Sequence, residues 1–307
     1  MPYDNLSPGT RVTGERINSF LKILDKNNPV RLVLVTVSAL IQKNIPLENY
    51  PKSVKRITIG SELNLSTFVK NAIDSGYRRS GNVMDIGEIA VRGGIVDIYS
   101  PSYNRPIRID FFGDEVEGLK FFDPLTQLTN DSIKQITILP ISEVLLNNIN
   151  ISTFKNNYRK NFGSISTKDE LFQSISEGIR YPGLEHWLSL FYPKLETIFD
   201  ILDNHYFYIL DSAFDDFCNM RFDDINDYYS TRNISYLEAV KNKKIVDCYK
   251  PIDPIELYLN KDELYNYISK IPSIKISTFK NPEIKNNLLS KNIPNFWLDN
   301  KVKSIDL

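Results

Sequence analysis

The residues best suited to chemistry in this chain fall in three places, and none of them completes a reactive group. Gly9-Thr-Arg-Val-Thr-Gly14-Glu15-Arg16 has the glycine spacing of a phosphate-binding loop. Such a loop needs a lysine and a hydroxyl to reach the phosphates and Mg²⁺. Glu15 and Arg16 stand in those places, and a carboxylate there repels phosphate, so the stretch reads as an ordinary loop and helix start. Asp215-Asp216 and Asp223-Asp224 lie eight residues apart, which puts the pairs about two turns apart on a helix, the pattern of a solvated face. Asp211 follows the apolar run Tyr206 to Leu210 as a Walker-type aspartate follows its strand, but Ser212 stands where a helicase box carries a second carboxylate. His186, between Glu185 and Trp187, has no serine or cysteine nucleophile motif beside it. Cys218 and Cys248, with His186 and His205, are too few for a Cys/His metal cage. The expectation is a chain with no catalytic residue, no cofactor and no metal.

Binding is the remaining chemistry. Arg78, Arg79, Arg92, Arg105 and Arg108 crowd a short span beside Tyr77, Tyr99 and Tyr103, a mixture found on single-strand-binding sheets. Asp97, Asp110, Asp114, Glu115 and Glu117 are interleaved with them. Acidic and basic residues nearly balance from Lys52 to Pro140, which suits a protein interface with paired charges better than a phosphate track.

The whole chain agrees with that balance. Its 37 Lys and Arg against 38 Asp and Glu leave a net charge of -1, so no bulk field draws it onto DNA or a membrane, and a nucleic-acid contact has to be local. At 307 residues, 42% hydrophobic and 24% charged, it has the composition of a globular protein with room for two domains. Two cysteines make no disulfide framework and fit a reducing compartment. There is no secretory leader and no apolar run of membrane-spanning length, so a cytoplasmic location is expected. A helix arriving near Thr13 with no strand before it suggests a chain whose beginning is missing.

These residues need elements to hold them. Ile17, Phe20, Leu21 and Leu24 make an amphipathic stripe with Thr13 as its expected cap, ended by Asn27-Asn28-Pro29. Leu32 to Val37 reads as a buried parallel strand, followed by a short helix near Ala39 and a break at Pro46. After Pro51 the texture changes. Leu65, Phe68, Val69, Ala72 and Ile73 form a helix closed by Gly76. The period then becomes two, with Ile89 and Val91 opposite Ala90 and Arg92, and Ile107, Ile109 and Phe111 opposite Arg108, Asp110 and Phe112, as in half-exposed antiparallel strands. Gly113-Asp114 reads as a hairpin turn into Val116 to Phe122, and Gly93-Gly94 as a bulge or close approach. Beyond Pro140, helix and strand alternate again. Thr167 and Glu170 have capping-box spacing, Tyr206 to Leu210 is a strand, Phe214 to Ile225 a helix, and Ile274 to Ile276 the last strand. Lys241 to Lys244 and the stretch after Pro282 read as solvated, and no repeat is present.

Gly87-Glu-Ile-Ala-Val-Arg-Gly-Gly-Ile-Val-Asp-Ile-Tyr-Ser-Pro101, Pro106-Ile-Arg-Ile-Asp-Phe-Phe-Gly-Asp-Glu-Val-Glu117 and Phe122-Asp-Pro-Leu-Thr-Gln127 resemble a segment shared by UvrB and the bacterial transcription-repair coupling factors. Tyr3-Asp-Asn-Leu-Ser-Pro8, Val35-Thr-Val-Ser-Ala-Leu-Ile-Gln42, Ile138-Leu-Pro-Ile-Ser-Glu143 and Gly183-Leu-Glu-His-Trp-Leu-Ser-Leu-Phe191 resemble the coupling factors in particular, and the resemblance fades after about Tyr229. It implies an α/β fold: the amino-terminal UvrB-like module, a split α/β domain (1–51 and 141–307, truncated at its start) with a small antiparallel α+β domain inserted at 52–140. It also implies docking to UvrA in nucleotide excision repair, with RNA polymerase and double-stranded DNA as partners of the full-length protein. Arg92 stands in the Val-Arg-Gly element used for UvrA contact, and Arg78 or Arg79, after Gly76-Tyr77, where a second contact arginine lies. Ala90 departs from UvrB, which has an arginine there. The alternatives are a piece of an ATP-dependent DNA translocase whose motor lies outside the chain, or a single-stranded nucleic-acid binder.

Overall fold

The computed structural model describes residues 3–4, 6–163, 166–202, 206–242 and 248–276. His205, Lys243, Lys244 and the stretch after Pro282 lie outside the described residues. The chain is mixed α/β, and its buried apolar residues divide into two large clusters. One draws on residues between Tyr3 and Tyr50 and again between Val144 and Ile268. The other draws on residues between Ile57 and Ile141.

The first segment carries α1 (Thr10–Leu24), α2 (Val37–Ile41) and α3 (Asn49–Lys52). Helix α1 buries Ile17 and Phe20, and Phe20 stacks on Tyr50 of α3 at 5.0 Å. The helix begins one turn before the expected cap: Gly9 is its N-cap and Thr13 is buried inside it. Leu32 to Val37 is not a strand. No neighbouring strand supplies it with a ladder among the described residues, and Leu32 and Leu34 are exposed at 68% and 88% while Val33 and Val37 touch the core. A β-branched run gives strand propensity, but a strand also needs a partner.

The middle segment opens with β1 (Lys55–Thr58), then α4 (Leu65–Asp74), β2 (Arg78–Arg79), β3 (Glu88–Arg92), β4 (Ile95–Ile98), β5 (Ile107–Phe112), β6 (Glu115–Phe122), β7 (Thr129–Ser132) and β8 (Gln135–Ile138). The Asn64 side chain caps α4 by accepting from the Thr67 amide, and Gly76, at φ +109°, ends the turn after it in the left-handed region, as expected. Strands β2 to β7 form one sheet in sequence order, antiparallel except for the parallel pair β2–β3. Its closed face carries Ile89, Val96, Ile98, Ile107, Ile109, Phe111, Val116 and Leu119, packed with Phe68, Val69 and Ala72 of α4. Each such side chain contributes about 1.5 to 3 kcal/mol when fully buried. Gly113-Asp114 is the predicted hairpin turn. Gly93-Gly94 is a second two-residue turn rather than a mid-strand bulge, since Arg92 pairs with Ile95. The close approach does exist there, because a Cβ on Gly94 would lie 2.8 Å from the Phe111 carbonyl oxygen. Both ends of the segment leave together: β1 and β8 pair antiparallel, Lys55 opposite Ile138.

The last segment contains α5 (Asn148–Phe162), α6 (Glu170–Ser176), a 3₁₀ helix (Leu184–Leu190), α7 (Ile198–Ile201), β9 (Tyr208–Leu210), α8 (Phe214–Lys241), α9 (Pro254–Leu257), α10 (Lys261–Ser269) and β10 (Ser273–Lys275), which pairs parallel with β9. Asp169, not Thr167, caps α6, accepting from the Phe172 amide at 3.1 Å. Asp169 also receives the Tyr158 hydroxyl at 2.9 Å and the Lys250 ammonium, all three buried.

Several contacts tie the middle segment to the residues on either side of it: the Leu146 amide donates to the Asp74 carbonyl at 3.0 Å, and a Cβ on Gly87 would come within 2.6 Å of the Thr10 side chain of α1. Gly14 of α1 lies against Pro101, where a Cβ would run into the proline ring. Arg16 donates to Glu143 at 3.0 Å. Arg180 donates to the Ser142 hydroxyl and to the carbonyls of Asp74 and Val144, each at 2.8 Å.

Candidate protein-docking site

The motifs with catalytic resemblance are occupied by structural work. Gly14 and Arg16 lie within α1, where Arg16 bonds Glu143, Gln42 and Asn44, and Glu15 pairs with Arg11 at 2.9 Å. Both aspartate pairs lie along α8, and Asp215 takes the Lys275 ammonium and the Tyr265 hydroxyl, which hold its carboxyl below the usual range. Among the described residues no three His, Cys, Asp or Glu converge as metal ligands, and no helix is long and apolar enough to cross a membrane.

His186 is largely enclosed near Tyr249, and burial pushes its pKa down to about 4. In the unfolded chain the ring titrates near 6.5. The depressed value means that the neutral ring is favoured in the fold. Its contribution is present above pH 6.5 and is lost as pH falls from there towards 4, to a limit of about 3 kcal/mol. Replacing His186 with Gln is expected to flatten the fall in melting temperature between pH 7 and pH 4. An acid limb unchanged from the wild type would contradict this.

The open face of the six-stranded sheet has a different character. Its rows run Arg92, Ile95, Asp110 and then Ala90, Asp97, Arg108, Lys120 across β3 to β6. Asp97 is 1% exposed, bound by Arg108 through Nε at 2.7 Å and Nη2 at 2.9 Å, with Arg92 Nη2 at 3.8 Å. Lys120 donates to Asp110 at 2.9 Å. Arg108 also lies over the Phe122 ring at 4.8 Å, which favours the cation electrostatically.

The sequence-predicted arginines separate on this framework. Arg92, about half exposed, donates through Nη2 to the Gly81 carbonyl and the Asn82 side chain. Arg78 donates to Glu88 at 2.7 Å. Burial alone raises the Glu88 pKa, but amide bonds from Met84 and Asp85 and the Arg78 guanidinium outweigh it and hold the carboxyl low. Arg78 pairs with Glu88 in register and so shares the open face with Arg92. Arg79 pairs with Ile89 and lies at the edge of the other face, lining a groove with Leu65, Val69 and Ile73 of α4. The strand is also less open than alternation implies. Ala90 is 2% exposed beneath Val83 and Phe122, so a longer side chain there would have to displace that cluster.

Sequence reading did not single out Ile95 and Phe112 for this surface. Phe112, 77% exposed, ends the strand beside the Gly93-Gly94 turn, on the same face as Arg92 and Ile95. Its signal was available: it is the large apolar residue on the outward register of β5.

An open sheet face with a buried charge ladder, a part-exposed arginine and a solvent-facing phenylalanine has the make-up of a protein-binding surface. Residues 56–143, the segment that carries it, match the UvrB interaction domain family. The likeness extends through the rest of the chain to the transcription-repair-coupling factors. That of Haemophilus influenzae is 30% identical over 298 residues, 96% of this chain and 24% of the relative. That of Rickettsia bellii is 31% identical over 287 residues, 92% and 24% of the two chains, and that of Escherichia coli K12 is 24% identical over 282 residues, 91% and 23%. The chain spans about a quarter of the length of these curated relatives.

Proposed function

We propose that this chain is a UvrA-docking module of the transcription-repair-coupling kind, acting in nucleotide excision repair without chemistry of its own. The inserted domain of this reading is 52–140, and the split domain around it is 1–51 and 141–307. RNA polymerase and double-stranded DNA belong, in the same reading, to the full-length protein, and the setting is cytoplasmic. The observation that carries it is the position of Arg92 beside Ile95 and Phe112 on the open face, in a segment that matches the UvrB interaction domain family.

Arg92 holds two neutral acceptors through one nitrogen, so its fork is oriented in advance while most of its donors stay free. Phe112 offers a large apolar area at small entropic cost, and aromatic and arginine anchors dominate interface energetics. Arg78 adds charge to the same face, and Arg79 is reached only round the β2 edge. Single-strand binding is disfavoured because Arg108 and Lys120 are already neutralised by Asp97 and Asp110.

Titration with UvrA tests the reading. Arg92→Ala and Phe112→Ala are each expected to weaken binding about tenfold or more, with melting temperature nearly unchanged, and Arg79→Ala to weaken it less. If both open-face variants bind UvrA as the wild type does, the site is wrong. Binding lost together with the fold would make Arg92 a support for the 81–82 loop instead.

A further inference from the structure

We propose that a second surface, where the end of α1 meets α3 and β1, binds the phosphate backbone of duplex nucleic acid. In a chain of net charge -1, residues 22–31 and 48–56 carry six exposed cations, Lys22, Lys26, Arg31, Lys52, Lys55 and Arg56, against two carboxylates, Asp25 and Glu48. The fold brings the two stretches together. Phe20 stacks on Tyr50, and Arg56 lies close enough to Asp25 to add to the effect of Asn28 and Asn27 in lowering that carboxyl's pKa.

Both carboxylates are already engaged. Glu48 takes Lys52 at 2.9 Å, and Asp25 takes the Asn27 amide and the Asn28 side chain at 3.0 Å. None of the other five cations is ion-paired to a carboxylate within 4 Å among the described residues. That leaves a local positive field of the kind the overall charge balance does not provide.

The chemistry of the ligand follows from what the patch lacks. Protein interfaces place charge around an apolar centre, whereas here the exposed Leu32 and Leu34 lie at one margin, after Arg31, and no large apolar side chain is exposed among residues 22–31 or 48–56. Single-strand binders stack bases on exposed rings, yet Phe20 and Tyr50 are buried. Cations with no apolar centre among them and no exposed ring suit a regular array of phosphates, read for charge rather than sequence. The patch uses none of the open-face residues, so the inference is independent of UvrA docking.

Fluorescence anisotropy with a short labelled duplex tests it. Five phosphate contacts predict a slope of about -4.5 for the logarithm of affinity against that of salt, with micromolar-range affinity at low salt. Lys22→Glu, Lys26→Glu, Lys55→Glu and Arg56→Glu combined should weaken binding at least about tenfold and flatten the slope, and Lys55→Gln with Arg56→Gln should reduce the slope by roughly two. Arg92→Ala should bind the duplex as the wild type does. The proposal is overturned if the wild-type chain shows no salt-dependent binding, if the folded charge variants bind equally well, or if polyglutamate competes as strongly as unlabelled duplex.

Discussion

Replacing Asp169 with alanine is expected to lower the melting temperature by roughly 10 °C, an effect of about 3 to 5 kcal/mol. Lys250 is 7% exposed, and its ammonium is held by Asp169 and by the Tyr158 hydroxyl at 3.0 Å. The Tyr158 and Phe162 rings lie within cation–π range of the same ammonium. Burial and the adjacent Asp169 charge both push the Tyr158 pKa upward, so the phenol stays a donor. Without Asp169 the ammonium keeps its burial and loses its counter-charge, and α6 loses its cap as well. The double variant Asp169→Ala, Lys250→Met removes the stranded charge and should recover most of the loss, because apolar replacements of buried pairs are often close to neutral. Differential scanning calorimetry distinguishes the cases. Equal destabilisation in the single and double variants would mean that the cap, and not the charge, accounts for the effect.

Replacing Arg180 with methionine is the second large change, at about 3 kcal/mol. Burial pushes the Arg180 pKa down to about 10, still far enough above neutrality to keep the guanidinium charged. Among the described residues the cation has no carboxylate within bonding range, and it is held by two carbonyls and a hydroxyl. Of these, Asp74 ends α4 within the sheet-bearing segment and Ser142 follows its last strand, while Arg180 itself comes from the loop after α6. Methionine fills similar space and leaves the carbonyls of Asp74 and Val144 without this donor. The expected calorimetric result is a lower first transition and a separation of two transitions, as the clusters lose one of the bonds between them. A single transition at the wild-type temperature would show that the remaining contacts, among them Gly14–Pro101 and the Leu146–Asp74 bond, suffice.

Much of the middle segment was legible because its signals are local. The stripe from Leu65 to Ile73, Gly76 behind it and the Gly113-Asp114 turn each impose a conformation within a few residues, and all three stand as expected. Leu32 to Val37 failed for the opposite reason, since strand formation depends on a neighbour elsewhere in the chain. Strands β1 and β7 escaped notice because they are short and polar, with Thr129–Ser132 exposed throughout. The caps expected at Thr13 and Thr167 were displaced because Gly9 and Asp169 occupy earlier or better-placed positions, and hydroxyl spacing alone does not decide between them.

On the open face of the sheet, alternation along β3 and β5 located the outward register of Arg92 and Phe112. It could not separate Arg78 from Arg79, whose faces depend on the parallel pairing of a two-residue strand with β3. Arg180 carried no signal at all, because its partners are backbone groups far away in sequence.

The pairing of β1 with β8 bears on how such a chain reaches its fold. The outer cluster is built from two stretches that the middle segment separates, and closing an unfolded loop of that length costs roughly 4 kcal/mol in chain entropy. Once the sheet has formed, Lys55 already lies opposite Ile138, and the two stretches emerge side by side with that cost met. The segment that carries the proposed docking face therefore also turns a long-range search by the flanking stretches into a local one.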